Sequence, residues 1–156
     1  IYEDVYEFSN ELQLNNSLIG LDLGTKTIGV AVSDTILSVA TPIKTIKRKK
    51  FSLDTDHLLG IISTKNCCGV IIGLPKNMDG SEGPRAQSTR AFARNFSEKT
   101  ELPITFWDER LSTVAAEKAL LEADTTRKRR AEVIDHVAAA YILQGFLDRL
   151  KVLGNL

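Results

Sequence analysis

Four carboxylates hold the chemical potential of this chain. Asp22 stands where an apolar strand, Leu18–Leu23, runs into a glycine turn of Gly24, Thr25 and Lys26 that leads to a second apolar run, Ile28–Val32. An ionised carboxylate in such a strand is costly to bury unless it is paired, hydrogen-bonded or bound to a metal. The plainer alternative is a turn residue bonded to its own backbone. Asp108 and Glu109 directly follow a short apolar segment, Ile104–Trp107, and Asp135 precedes Ala138-Ala139-Ala140 in a helical pattern. For Asp135 the alternative is an ordinary solvated helix residue. Convergent acids without a cysteine ligand pattern suit hard, oxygen-seeking ions, Mg2+ or Mn2+. Beside a phosphodiester, two such ions activate a water, neutralise the phosphate and stabilise the leaving oxygen. The chemistry expected is therefore metal-assisted phosphodiester hydrolysis. His57 and His136 match no His-Glu-x-x-His pattern and are read as non-ligands. Asp79 is a weaker candidate, better explained as shaping the Asp79-Gly80 turn.

The elements that must position these acids follow from hydrophobic period. Leu18–Leu23 and Ile28–Asp34 read as strands joined by a tight turn, and Val39–Ile46 reads as a third strand that Pro42 consigns to an edge. A helix is expected near Leu53–Thr64, then a buried strand Gly69–Gly73, then a helix opened by Pro84 with Ala86, Phe92, Ala93 and Phe96 on one side. Ile104–Trp107 supplies a fifth strand. Ser112 or Thr113 can cap an Ala- and Leu-rich helix to Ala123, and the polar stretch Asp124–Arg130 precedes a last helix with Ile134, Val137, Ala138, Tyr141 and Ile142 as its apolar stripe. Right-handed crossovers make the first, fourth and fifth strands parallel. Open sheets of this kind bind ligands beyond the carboxyl ends of their strands. Asp22, the Gly73–Pro84 loop and Asp108-Glu109 all fall at that edge. The small residues after Asp135 allow its helix to approach the sheet closely enough for a short side chain to reach the same place.

With 156 residues and 43% hydrophobic composition, the chain is sized for one core. The expected organisation is an acidic extension at 1–16, a single domain at 17–152 and a short tail at 153–156. Residues 1–16 hold Glu3, Asp4, Glu7 and Glu11 and no Lys or Arg, so the zero net charge conceals a body with twenty basic and sixteen acidic side chains. Ile1, Val5, Phe8 and Leu12 recur at helical spacing, so the leader reads either as a short docked helix or as a flexible tail. No apolar run approaches the roughly 18 residues of a membrane span, and the start lacks a signal-peptide pattern, which points to a cytoplasmic protein without a membrane partner. Adjacent Cys67 and Cys68 suit reduced core thiols.

Four blocks, in order and at compatible spacing, resemble the YqgF/RuvX family over about residues 17–150: Leu21-Asp-Leu-Gly-Thr-Lys-Thr-Ile-Gly-Val-Ala31, Gly73-Leu-Pro-Lys-Asn-Met-Asp-Gly80 with Gly83-Pro84, Trp107-Asp-Glu-Arg-Leu-Ser-Thr113, and Asp135 followed by Ala138-Ala139 and Ile142-Leu143. Members are Holliday-junction-resolvase-like proteins described as candidate nucleases maturing the small-subunit ribosomal RNA precursor. The resemblance implies an α/β fold of the ribonuclease H-like kind, a mixed five-stranded sheet of order 3-2-1-4-5 with strand 2 antiparallel, flanked by helices. It also implies a divalent-metal site, Mg2+ or Mn2+, containing Asp22 and Asp135 with a third acid from the Asp108-Glu109 pair, so the candidate catalytic residues are Asp22, Asp108, Glu109 and Asp135 and the candidate metal ligands Asp22, Glu109 and Asp135. Glu109 is favoured over Asp108 for its reach, because adjacent side chains on a continuing strand face opposite ways. Asp108 is then a second ligand or a partner for Arg110.

Nucleic acid must be held by cations. Lys26, Arg85, Arg110 and the run Arg127, Lys128, Arg129 and Arg130 are the candidates, with Arg90 and Arg94 on the helix of Arg85. Lys47-Arg-Lys-Lys50 is read first as a solvated face. The substrate favoured is the ribosomal RNA precursor, with branched DNA as the alternative and ribosomal particles as further partners of a monomer or homodimer. Two other readings stand beside the nuclease. The Asp22-Leu-Gly-Thr turn is shared with sugar kinases and actin-like ATPases, but those need two lobes and this chain has length for one. A non-catalytic RNA-binding assembly factor would use the same cations without needing the acids.

Overall fold

The computed structural model describes residues 1–111 and 127–154, with side chains in the last helix described from His136 onward. Five strands form one sheet: β1 (Ser17–Leu23), β2 (Thr27–Ser33), β3 (Ala40–Lys47), β4 (Cys67–Leu74) and β5 (Ile104–Asp108), in the order β3-β2-β1-β4-β5. β2 is antiparallel to both β1 and β3, while β4 is parallel to β1 and to β5. This is the expected order and the expected sense of strand 2. Pro42 stands on the edge strand, and the pairing there shifts register between Val30 and Ala31, which absorbs the missing amide donor.

Alternation along β1 assigns its two faces. Ile19, Leu21 and Leu23 join a core with Leu58 and Ile62 of α2 (Phe51–Lys65) and Phe92, Ala93 and Phe96 of α3 (Pro84–Ser97). Leu18 joins the opposite core, built with the long helix α4 (Arg127–Val152). Two conformational breaks time the α2–β4 connection and the α3 start: Asn66 takes the left-handed region (φ 54°) beyond α2, and Pro84 occupies the first turn of α3, where its missing N–H costs nothing.

α4 differs in detail from expectation. Its buried stripe is Ala138, Ala139, Ile142, Leu143, Phe146, Leu147 and Leu150, whereas Tyr141 is 37% exposed. The ring plus hydroxyl of Tyr141 tolerates water, and the stripe rotates toward the alanines that the sheet can approach. The helix also takes in Arg127–Arg130, which the sequence placed in an interrupting polar stretch. The helix expected from Ser112 or Thr113 to Ala123 lies outside the described residues.

That close approach has two halves. A Cβ on Gly20 would stand 2.8 Å from Cβ of Leu143 and 3.2 Å from the Ala139 carbonyl oxygen, so the absence of a side chain at Gly20 is what admits the helix. A Cβ on Gly145 would likewise meet the Trp107 ring at 2.8 Å.

The acidic leader is docked. Asp4 caps the short helix α1 (Val5–Asn10) by accepting from Tyr6 N–H at 2.8 Å, and Phe8 is fully buried, edge-on to Phe146 at 5.5 Å between ring centroids. Ahead of it, Tyr2 adds a parallel bridge to Thr105 on the outer side of β5, donating its N–H to the Ile104 carbonyl at 2.7 Å.

Candidate active site

Asp22 is 6% exposed and lies two residues beyond Gly20 on β1, so alternation turns it to the α4 face at the carboxyl end of the strand. It pairs with Gly29 of β2, and Gly29 pairs in turn with Thr45 of β3. On the other side Leu21 aligns with Ile72, which brings Gly73 level with Asp22 one strand away, at the usual spacing of about 4.8 Å. The row is rich in small residues where it passes beneath the helix.

Glu109 comes to the same patch from β5. The strand ends at Asp108, and Glu109 opens a 3-10 turn, Glu109–Leu111, so strict two-residue alternation no longer applies beyond Asp108. The carboxyl carbon of Glu109 lies 3.4 Å from the point that a Cβ on Gly73 would occupy, and that Cβ would overlap Cδ1 of Ile142. Gly73 thus leaves open the space between the strand of Asp22 and the side chain of Glu109.

Asp108 takes the other task. Its carboxylate accepts from Arg110 N–H at 3.0 Å and from Arg110 Nη2 at 2.7 Å, and the guanidinium beside it holds its pKa below the usual carboxylate range. Arg110 also donates from Nη1 to the Met78 carbonyl at 3.3 Å, which ties the end of β5 to the glycine-rich loop. In that loop Asp79 accepts from Ser81 N–H and Ser81 Oγ at 2.9 and 2.6 Å, with Gly80 at φ 90°, the turn role the sequence suggested.

The first turns of α4 cross above this row. His136 Nδ1 is 3.0 Å from Thr45 Oγ1, and Ala139 lies over Gly20, so the backbone of Asp135 belongs to the turn that spans β3 to β1 at the level of Asp22. Asp135 precedes Ala139 by four positions and Ile142 by seven, spacings that share one helix face. Its side chain and those of Arg127, Lys128, Arg129 and Arg130 lie outside the described residues. Among the described residues no three His, Cys, Asp or Glu side chains form a cluster able to hold a metal.

The remaining cations divide in two. Arg90 is engaged: it donates from Nε to Glu82 at 2.5 Å and from Nη1 to Glu3 at 2.6 Å, and its guanidinium stacks 4.8 Å from the Phe106 centroid. Lys26 is exposed in the β1–β2 turn and Arg85 is exposed on the first turn of α3. Arg48 is the residue that sequence reasoning passed over inside Lys47–Lys50. Its N–H donates to the Lys26 carbonyl at 2.9 Å and its Nη1 to the Gly24 carbonyl at 2.6 Å, so it is folded back onto the turn that follows Asp22. The signal was positional: Arg48 stands one step past the Thr27–Lys47 pair, beside that turn.

Cys67 and Cys68 are buried free thiols, and burial, with Cys68 alongside, pushes Cys67 up to about 12. His57 Nε2 is 3.1 Å from Lys44 Nζ, away from the carboxylates. No helix among the described residues is long and apolar enough to cross a membrane.

This sheet order, with a carboxylate on the central strand and a long helix laid across it, is the ribonuclease H-like architecture of RuvC-type proteins. Thermus thermophilus RuvC in complex with Holliday junction substrate matches with a TM-score of 0.53, covering 87% of this chain and 96% of that one at 12% identity, a likeness of fold. A second Thermus thermophilus RuvC structure matches equally well, with a TM-score of 0.53 over 89% of this chain and 97% of that one at 11% identity. Residues 16–149 match the family model RuvX, described as Holliday junction resolvase, and the chain belongs to that RuvX (YqgF) family. Among its relatives, a protein of Ruegeria pomeroyi is 70% identical over 97% of this chain and 98% of its own length. One of Roseobacter denitrificans is 68% identical over 98% of this chain and 95% of its own. Both carry the name "Putative pre-16S rRNA nuclease".

Proposed function

We propose that this chain is a metal-dependent nuclease that hydrolyses phosphodiester bonds in the 5′ maturation of pre-16S ribosomal RNA. The observation that carries the reading is the Glu109 carboxyl beside Gly73, the residue level with Asp22, at the carboxyl edge of the sheet and under the helix that bears Asp135. The family and the names of its relatives supply the substrate.

The donor set fits a hard cation: it offers carboxylate oxygens, with the free thiols remote at the start of β4. Asp22, Glu109 and Asp135 would hold Mg2+ or Mn2+. When bound, such ions lower the pKa of a water and neutralise charge on a phosphate. The chain's own groups do the positioning. Arg110 fixes Asp108 and the glycine-rich loop, so the edge beside Glu109 keeps its shape. Lys26, Arg85 and the Arg127–Arg130 run attract the polynucleotide backbone, and the helix carrying that run leads directly to Asp135.

The test compares wild type with Asp22→Asn and Asp135→Asn on a pre-16S rRNA 5′ end and on a four-way DNA junction, in Mn2+, Mg2+ or EDTA. The reading expects metal-dependent cleavage of the RNA, abolished by both substitutions. Cleavage of the junction instead would move the substrate to branched DNA, the activity in the family description. Binding without cleavage, unaffected by the substitutions, would overturn the enzyme in favour of an RNA-binding assembly factor.

A further inference from the structure

On the other face of β1, a cavity of about 230 Å³ opens at the same carboxyl edge, lined by Gly24, Thr25, Arg48, Arg85 and Ser88 over Leu23 and Phe92. Its lining contains two arginines and three hydroxyl residues, Thr25, Ser88 and Thr89, and no Asp or Glu. Among the described residues, the salt bridges of this chain engage Arg90 and Arg110, while Arg48 and Arg85 enter none. Arg48 is held in place by neutral groups, the Gly24 carbonyl at 2.6 Å and the Phe92 ring with 5.8 Å to its centroid. A guanidinium has five donors in a rigid fork, so this anchoring leaves N–H groups for a second, anionic partner. Fixing the cation beforehand lowers the entropy cost of binding.

We propose that this cavity is a phosphate-binding subsite that takes a backbone phosphate of the substrate strand next to the one cleaved. Leu23 and Gly24 directly follow Asp22, so the subsite lies one or two residues along the chain, at about 3.3 Å each, from the proposed catalytic acid and on the opposite side of the strand. A polynucleotide crossing the sheet edge would pass both. Arg48 and Arg85 grip the phosphate from the β3 and α3 sides, and the Thr25 and Ser88 hydroxyls donate to its remaining oxygens. Pro84 brings no N–H to the site, so side chains carry the recognition. The assignment to a substrate strand rests on the nuclease reading, whereas the affinity for phosphate does not.

The experiment measures binding of a fluorescent single-stranded RNA in EDTA across a salt series, for wild type, Arg85→Ala, Arg48→Ala with Arg85→Ala, and Asp22→Asn. Inorganic phosphate and a nucleoside monophosphate are titrated in parallel by NMR. Arg85 is exposed and its guanidinium makes no described hydrogen bond or ion pair, so its single variant guards against misfolding of the double one, and thermal melting is recorded for all. The double variant should bind RNA about 10- to 100-fold more weakly, the range of charge-assisted hydrogen bonds. Its slope of log K against log salt should fall by about 0.7, the value for one single-strand phosphate contact. Asp22→Asn should keep wild-type affinity and slope while losing cleavage. Wild-type affinity and slope in a folded double variant would overturn the subsite and leave the nuclease standing. Absence of cleavage by wild type, with the double variant still weakened, would overturn the nuclease and leave the phosphate site. Tighter binding of the monophosphate than of the RNA, lost in the double variant, would overturn the substrate-strand assignment in favour of a free nucleotide.

Discussion

The strand end at Asp108 hands two neighbouring carboxyls to different partners. Asp108 is spent on Arg110, and Glu109 is delivered to Gly73 and Ile142. Asp108→Asn should therefore reduce cleavage only about 10- to 100-fold, as loss of a positioning contact does, while Asp22→Asn and Glu109→Gln should abolish it; single-turnover rates decide. The Asp108–Arg110 pair also has a pH signature. Because the folded pKa of Asp108 is lowered by Arg110, its stabilisation is complete above the unfolded value of about 3.9 and is lost as pH falls from there through the folded value. Both partners keep some exposure, so solvent screening keeps the effect small. Urea midpoints between about pH 5 and pH 2 should fall more steeply for wild type than for Arg110→Ala. Cys67, raised to about 12 by burial, should resist a thiol reagent at neutral pH until the protein unfolds.

At the scale of elements, the hydrophobic period was a sound guide wherever one face of a strand or helix is buried throughout. All five strands, α2 and α3 were legible, β1 and β4 as short apolar runs buried on both faces and the two helices by their one apolar side. α4 was read less well: its stripe had to be chosen among crowded apolar residues, and only the glycines of the sheet, invisible as a contact in sequence, decide that Ala139 and Leu143 face inward rather than Tyr141. The candidate site was legible as far as Asp22 and the edge it shares with β4 and β5. Reach favours Glu109 and leaves Asp108 as a second ligand or a partner for Arg110; the choice between those two roles was not legible, since a strand that yields to a 3-10 turn leaves no periodic signal. Nor was Arg48, whose partners are a carbonyl and a ring from distant segments. The glycine contacts give a direct test. Gly73→Ala should overlap Ile142 and displace Glu109, costing about 1–3 kcal/mol in urea unfolding and most of the cleavage. Gly60→Ala, mid-helix with nothing within 4 Å of the added carbon, should instead stabilise by about 0.5–1 kcal/mol.

At the scale of the molecule, the leader is a working part of the core. Phe8 is fully buried against Phe146 on the same helix that bears Asp135, and Glu3 holds Arg90 together with Glu82 of the glycine-rich loop. Phe8→Ala should cost about 3–5 kcal/mol by chemical denaturation, the loss expected for a buried ring.

The bridge made by Tyr2 has a further consequence. A sheet with an uncovered outer strand offers unpaired amides to any neighbouring chain and so invites growth into fibres. Here the two borders are closed by different means. On β3, Pro42 removes a donor and Lys44 and Lys47 repel a copy of themselves. On β5, Tyr2 engages the Ile104 carbonyl through its N–H and accepts from Thr105 Oγ1 at 2.7 Å, covering the border with the chain's own first residues. A protein lacking residues 1–4 should scatter light progressively as its concentration rises, while one that carries them stays clear, because Tyr2 and its neighbours act as a guard against aggregation.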